Sequence, residues 1–344
     1  MGKTMIAMSG GVDSSAAALL VQQQGDEAVG VTMHLFGKNA SGNDVNDAKA
    51  VAEHLGLPFL LLDYSEEFRQ AIIEPFVDEY LHGRTPNPCV LCNRVMKFDK
   101  LMDAAKEHGC DTLVTGHYAR VEFDGEKYLL KKAKDGSKDQ SYMLYRLTQE
   151  QLRHIRFPLG EYTKEEIRKI AEERGLVNAR KKDSQDICFV PDGDYARVIE
   201  ELRGQQSAPG PFVDKEGKTL GTHRGIIHYT VGQRRGLGIS AREPLYVLKI
   251  EPQTNTVVLG PKEELFSREL DADGFHWISG QTPMAPVRAR AKIRYHHKEE
   301  ACTVIPGENG TSHIVFDDPQ RAVTPGQSVV VYDGDTVLGG GFIR

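Results

Sequence analysis

Long apolar runs are missing from these 344 residues. Nothing approaches the roughly 18 consecutive apolar residues that a membrane-spanning helix needs, and no secretory leader is expected at the start. An excess of positive charge is missing too. The 43 Lys and Arg are outnumbered by 49 Asp and Glu, a net of −6, so the chain as a whole lacks the electrostatic footprint of a nucleic-acid binder. Cysteine is scarce, and five in a chain of this length argue against a disulfide framework. They argue instead for a reducing, cytoplasmic setting in which thiols serve as ligands or nucleophiles. Also absent are internal repeats, low-complexity tracts, a Walker-type loop ending in Lys-Ser/Thr and the three-glycine dinucleotide fingerprint. With 40% hydrophobic and 27% charged residues, what remains is a globular protein of two or three domains.

What is present is Met8-Ser9-Gly10-Gly11-Val12-Asp13-Ser14-Ser15, set between a strand-like run, Lys3 to Met8, and a helix-like run, Ser14 to Gln24. A glycine loop that opens a helix lets unpaired N–H groups and the positive end of the helix dipole meet an anion, an attraction of about 0.3–1 kcal/mol. Phosphate is the expected guest. Asp13 is a candidate magnesium partner, since Mg²⁺ takes one or two carboxylates together with substrate phosphates, or else a simple helix cap.

Further along, strands are expected over 27–36 and 59–63 and a short one at 112–114. Helices are expected over 47–55, 68–80, 98–107 and 164–174, the last with Thr163 and Glu166 as a capping box. Such alternation implies right-handed crossovers and a parallel sheet. Ligands of such sheets sit at the carboxyl ends of strands, which lines up the loop 9–15, Met33 and Gly116 along one crevice. A hairpin is expected over 118–130 around Asp124-Gly125. Ala208-Pro209-Gly210-Pro211 reads as a boundary, beyond which short alternating segments replace helical periodicity. The expected architecture is α/β: a Rossmann-like parallel-sheet domain over 1–204, a small β-rich domain over 205–268 and a C-terminal β-barrel over 270–344.

Two features carry chemistry beyond the loop. Arg288, Arg290, Lys292 and Arg294 alternate with apolar residues, so on a strand all four leave one face, a pattern suited to a phosphate backbone. Other basic groups gather at 131–138, at 180–182 and at Arg234-Arg235. Cys89-Val90-Leu91-Cys92 lies in a proline-rich polar loop, Gly83 to Arg94, and Cys188 follows Lys182 to Ile187. A Cys-x-x-Cys of this kind is a redox pair, half of a zinc site or part of an iron–sulfur site. Cys110 and Cys302 read as buried core.

The loop Ser9 to Ser14 resembles the pyrophosphate loop of the N-type ATP pyrophosphatases. Together with Gly83-Arg84-Thr85-Pro86-Asn87-Pro88 and Cys92-Asn93, Thr115-Gly116-His117-Tyr118-Ala119-Arg120, Lys138-Asp139-Gln140-Ser141-Tyr142, the Cys188 segment and Tyr229 to Leu237, it is similar to the tRNA-specific 2-thiouridylases over nearly the whole chain. The resemblance implies ATP-dependent replacement of the C2 oxygen of a wobble uridine by sulfur, with ATP and Mg²⁺ as cofactors and tRNA and a sulfur-relay protein as partners. It implies nucleotide contacts from 8–15 (Met8, Ser9, Gly10, Gly11, Val12, Asp13, Ser14, Ser15), Met33 and Gly116. It implies base contacts from Asn87, Pro88 and Cys89, and tRNA contacts from His117, Lys138, Asp139, Gln140, Arg294, Tyr295 and Gln327. Cys188 matches the persulfide position and Cys92 the nucleophile that frees the sulfur and ends in a disulfide with it, their thiolates favoured by Arg94 or by 180–182.

One position departs from the family pattern. Many members carry an aspartate where this chain has Cys89, which leaves the acid/base role open and offers Cys89, Cys92 and Cys188 as three thiolate ligands of a [4Fe–4S] cluster. The alternative functions are another pyrophosphate-loop enzyme, similar to a lysidine synthetase or amidating, and a non-catalytic tRNA-binding protein.

Overall fold

The computed structural model describes residues 2–36, 42–179, 181, 187–190 and 192–344. Arg180 and Lys182, named above as thiolate-favouring cations, lie outside them. In chain order the strands of the first half are β1 (Lys3–Ala7), β2 (Ala28–His34), β3 (Phe59–Asp63), β4 (Cys110–Val114), β5 (Ala119–Phe123), β6 (Tyr128–Lys132) and β7 (Ile155–Arg156). Five of these form one parallel sheet in the order β3-β2-β1-β4-β7. Alternate residues of β1 and β4 go to opposite faces. Met5 and Leu113 meet Phe98, Leu101 and Ile155, while Ile6 and Val114 meet Ala16, Ala17, Val51 and Ile167. Burial on both faces explains why these strands read as continuous apolar runs. Each such Leu or Ile contributes about 1.5–3 kcal/mol.

The order reverses between β1 and β4: the chain steps from β1 outward to β2 and β3, then returns to the other side of β1. That makes the gap beyond the carboxyl ends of β1 and β4 the topological switch point, where open α/β sheets bind ligands. Helix Val12–Gln23 starts there.

Four further strands, β8 (Gly210–Val213), β9 (Thr219–His223), β10 (Tyr246–Glu251) and β11 (Thr256–Gly260), form a second sheet in the order β10-β11-β8-β9. The residues read as a boundary therefore run into a strand, because Pro211 donates no ladder bond and disguises it. Phe212, Val247 and Val257 of this sheet share a core with Phe68, Phe76 and Phe189.

The last six strands, β12 (Phe266–Trp277), β13 (Val287–Lys292), β14 (Glu300–Pro306), β15 (Ser312–Arg321), β16 (Ser328–Asp333) and β17 (Thr336–Ile343), close into an antiparallel barrel. Closure comes from β12, which pairs with β15 along its first half and with β17 along its second. The expected alternation on β13 is present, Ala289 and Ala291 inward and Arg288 and Arg290 outward. The hairpin β5–β6 does not stay with the parallel sheet that surrounds it in sequence: Lys131 pairs with Thr336, adding the hairpin to the barrel's sheet. No helix among the described residues is long and apolar enough to cross a membrane.

Three helical segments are longer than their periodicity suggested. The second helix runs Gly42–His54, and helical turns cover 65–81 and 88–107. The third of these overturns the loop reading of the cysteine pair. Pro88 occupies the first helical position, where its missing N–H costs nothing, and Asn87 caps the turn by accepting the Cys89 N–H at 3.2 Å. Cys89 and Cys92 thus belong to a helix.

Candidate active site at the switch point

The glycine loop is shaped by its neighbours. Gly10 has φ +72°, and a Cβ there would stand 2.2 Å from the Asp44 carbonyl oxygen. The Ser14 hydroxyl takes the Ser9 N–H at 3.1 Å and donates to the Gly11 carbonyl at 3.1 Å; the Ser15 hydroxyl donates to the same carbonyl at 3.0 Å. From the far side, Asn178 Nδ2 donates to Gly10 O at 2.9 Å and Ser15 Oγ at 2.8 Å. Lys181 Nζ reaches Gly10 O at 3.3 Å and is held by Asp44 and Asp47 at 2.6 and 2.7 Å. Gly11 stands at the helix N-cap in extended conformation and no side chain caps the helix. The first-turn N–H groups are therefore available to an anion.

Asp13 does not cap the helix either. Its two oxygens accept from Lys164 Nζ at 2.7 and 2.8 Å, and Oδ1 also accepts from the Tyr118 hydroxyl at 2.9 Å. An ammonium across both oxygens leaves Asp13 a poor seat for Mg²⁺, and no group of three or more His, Cys, Asp or Glu among the described residues is arranged to hold a metal ion. The magnesium expectation at Asp13 does not fit the residues present.

The turn after β4 joins the loop to the cysteines. Gly116 lies so close to the loop that a Cβ would stand 2.7 Å from Ser14 N and 2.8 Å from Asp13 C. Its neighbour His117 is buried, its ring between Phe98 and Phe157 with centroids 5.8 Å from each. Lys97 Nζ lies 3.3 Å from His117 Nε2, and Thr115 Oγ1 lies 2.6 Å from Nδ1. An ammonium only donates, so Nε2 accepts and the ring proton sits on Nδ1. Burial, then the Lys97 charge, hold the His117 pKa well below its usual range, so the ring is neutral.

Lys97 also faces the thiols. Residues 93–100 form a π-helical stretch, in which i and i+5 come one above the other, so Lys97 follows Cys92 by one such turn. Burial raises all three thiols, Cys92 to about 12, and in each case Lys97 is the cation that pulls back. Cys92 is raised further by Cys188 and Cys89, and Cys188 by Cys89, so the three lie within electrostatic reach of one another. All are free thiols; Cys188 is exposed, Cys89 and Cys92 are half-buried. Arg94, expected to favour the thiolates, is turned away onto Asp99. Cys110 and Cys302 are buried, as read from the sequence.

Met33 lies near the carboxyl end of β2, half-buried against the cores on either side of it. The residues matched to tRNA contacts are placed as internal supports. Asp139 is buried, its carboxylate accepting from Ala133 N, Ser141 N and Ser141 Oγ at 3.0, 3.2 and 2.8 Å. Gln140 accepts the Tyr118 N–H, Tyr295 donates its hydroxyl to Asp139 O, and Gln327 donates to Thr85 O. One guanidinium nitrogen of Arg294 ties Val231 O, Ala322 O and Thr324 Oγ1 together. Arg288 is paired with Asp317 and Lys292 with Glu299.

The chain matches three family models end to end. They are a tRNA methyl transferase HUP domain over residues 2–192, a tRNA methyl transferase PRC-barrel domain over 197–261 and an aminomethyltransferase β-barrel domain over 267–343. It is 50% identical to the tRNA-specific 2-thiouridylase MnmA of Acetivibrio thermocellus, with 99% of both chains covered. The chain belongs to the tRNA-specific 2-thiouridylase family. The relative from Clostridioides difficile is 49% identical over 99% of this chain and 98% of its own, and one from Thermoanaerobacter is 48% identical over the same shares. Within a 2-thiouridylase framework, motif reading singled out the glycine loop and the cysteines and missed Lys97, Lys164 and Asn178, while Lys181, read as a cation beside the thiols, is held at Gly10 by Asp44 and Asp47. Only Lys97 left a signal, its spacing of five from Cys92.

Proposed function

We propose that this chain is an ATP-dependent tRNA-uridine 2-sulfurtransferase. In this reading the C2 oxygen of an anticodon-loop uridine bonds to the α-phosphorus of ATP and pyrophosphate departs with the electron pair. A sulfur nucleophile then adds at C2, and AMP leaves carrying the original oxygen. The carrying observation is the turn 115–117, which touches the phosphate loop through Gly116 and, through His117 and Lys97, the three thiols. Adenylation and sulfur delivery then share one crevice. Magnesium enters with the nucleotide's phosphates. The tRNA-facing surface is carried by segments that Asp139, Arg294, Tyr295 and Gln327 brace from behind, with Lys138 beside them; Asn87, Pro88 and Cys89 face the target base.

For the sulfur, Cys89, Cys92 and Cys188 are the ligand type that a [4Fe–4S] cluster takes and lie within electrostatic reach of one another, without being arranged as a metal site in this structure. Thiols raised by burial are weak nucleophiles as they stand, whereas a coordinating thiol is deprotonated outright. Cys89, Cys92 and Cys188 would hold such a cluster, which would supply iron as the site that binds the sulfur to be transferred. A second reading rests on the exposure of Cys188 against the half-buried Cys92. There a relay protein leaves a persulfide on Cys188, Cys92 attacks the inner sulfur, the terminal sulfur leaves as sulfide, and a Cys92–Cys188 disulfide remains. Iron and acid-labile sulfide, measured on protein purified without oxygen and on Cys89→Asp, decide between them. About four irons, lost in the variant, support the cluster. Absence of iron after reconstitution, with 2-thiouridine still formed, supports the persulfide. Wild-type protein that binds tRNA yet releases no AMP in the presence of ATP would refute the sulfurtransferase reading altogether.

A further inference from the structure

The cation set most deeply at the phosphate loop belongs to none of the motifs. Lys164 is 7% exposed and opens the helix Lys164–Glu173, 151 residues along the chain from the carboxylate it holds. Its Nζ bridges both oxygens of Asp13 and lies 5.9 Å from the centre of the Tyr118 ring, while the Tyr118 hydroxyl binds the same carboxylate. Taking an ammonium out of water costs several kcal/mol, so a buried Lys–Asp pair is weak evidence for a purely stabilising role. The pair is also open on one side: the Asp13 side chain keeps 30% of its surface, against 9% for Lys164. Asp13 lies in the first turn of the uncapped helix, so that open side adjoins the free N–H groups. On the opposite flank the amide of Asn178, 5% exposed, spends its nitrogen on Gly10 and Ser15 and leaves Oδ1 buried without a partner. The loop is held from both flanks.

We propose that Lys164 binds the β- and γ-phosphates of ATP, with Asp13 and Tyr118 as positioning residues that hold its ammonium at the loop. The proposal rests on the ATP-dependent reading given above and names the group that takes up the charge of the departing pyrophosphate. A lysine is a compact, rotatable point charge and a common phosphate partner. A pyrophosphate carries several negative charges and attracts such an ammonium more strongly than a carboxylate does. The same arrangement explains why Asp13 is a poor magnesium seat: its cation is supplied by the chain.

The test compares equilibrium binding of ATP, inorganic pyrophosphate and AMP to the full chain and to Lys164→Met, Lys164→Gln and Lys164→Arg, without tRNA. AMP lacks the two phosphates in question. Lys164→Met is expected to weaken ATP and pyrophosphate tenfold or more while AMP stays within twofold, and Lys164→Arg to recover most of the loss. Lys164→Gln, which keeps a donor toward Asp13, gives the same contrast if the Met variant fails to fold. A uniform loss for all three ligands marks a structural role and overturns the proposal, as does no loss at all. Wild-type protein that binds neither ATP nor pyrophosphate overturns the ATP-dependent reading along with it, whereas wild-type binding matched by both Lys164→Met and Lys164→Gln overturns the proposal alone.

Discussion

Replacing Gly116 by Ala tests the joint between the phosphate loop and the turn after β4. The added methyl would stand 2.7 Å from Ser14 N, 2.8 Å from Asp13 C and 3.0 Å from Asp13 O, all backbone atoms with no side chain to swing aside. To reach an ordinary contact near 3.4 Å the two segments must part by about 0.7 Å. Both are anchored, one at the end of an interior strand of the sheet and the other at a helix end. Overpacking of this kind costs roughly 1–3 kcal/mol. The larger effect falls on function, because misplacing reacting groups by an ångström costs on the order of 100-fold. Gly116→Ala is therefore expected to lower tRNA-dependent AMP release by about 10- to 100-fold, with a drop of a few degrees in unfolding temperature. The assays are AMP release under saturating tRNA and a thermal melt of the same preparation. Wild-type turnover together with a wild-type melt would show that the contact is not close, and the shared-crevice argument would fall with it.

Asparagine in place of His117 should flatten acid denaturation: the folded ring resists protonation while the unfolded one titrates near 6.5, so stability falls by up to about 1.4 kcal/mol per pH unit below that value. Melts between pH 5 and 7 on wild type and His117→Asn check the sign, and an unchanged slope would remove His117 from the account. Arg294→Met cuts the bridge from Val231 to Ala322 and Thr324 and leaves Val231 O unpaired, at about 1–3 kcal/mol, while Thr324 Oγ1 keeps its bond to Ala322 O; a melt within a degree of wild type would contradict that bracing role. Binding of tRNA should weaken steeply with salt, roughly 10³-fold between 50 and 200 mM for about six phosphate contacts, and a flat response in a filter-binding titration would count against a backbone-tracking surface.

The parallel sheet was legible because its strands are buried on both faces and its helices carry turn glycines and caps, as at Gly56 and Thr163. The barrel was legible from the short alternating segments that replace helical periodicity beyond Pro211. The start of the cysteine helix was not, because proline reads as a breaker unless its place in the first turn is known, and only the Asn87 cap reveals that place. Lys97 was hidden by a local change of helical period, and Lys164 by a separation that only the fold closes. The alternation of basic residues on β13 was legible too, but not the pairing of Arg288 with Asp317 and of Lys292 with Glu299, which only the fold brings together.

The hairpin β5–β6 has a consequence for how the molecule is made. It is synthesised by residue 132, but the strand it pairs with begins at residue 336. At about 5–20 residues per second a ribosome needs some 10–40 s to cover that interval. Throughout it the nascent hairpin presents an open edge, which is a template for pairing with other chains. Lys131 and Lys132, later held by Asp335 and Glu299, lie along that strand. Before the barrel exists their charge acts as a guard against premature partners; afterwards it becomes the clasp that fastens the last-made part of the chain to the first.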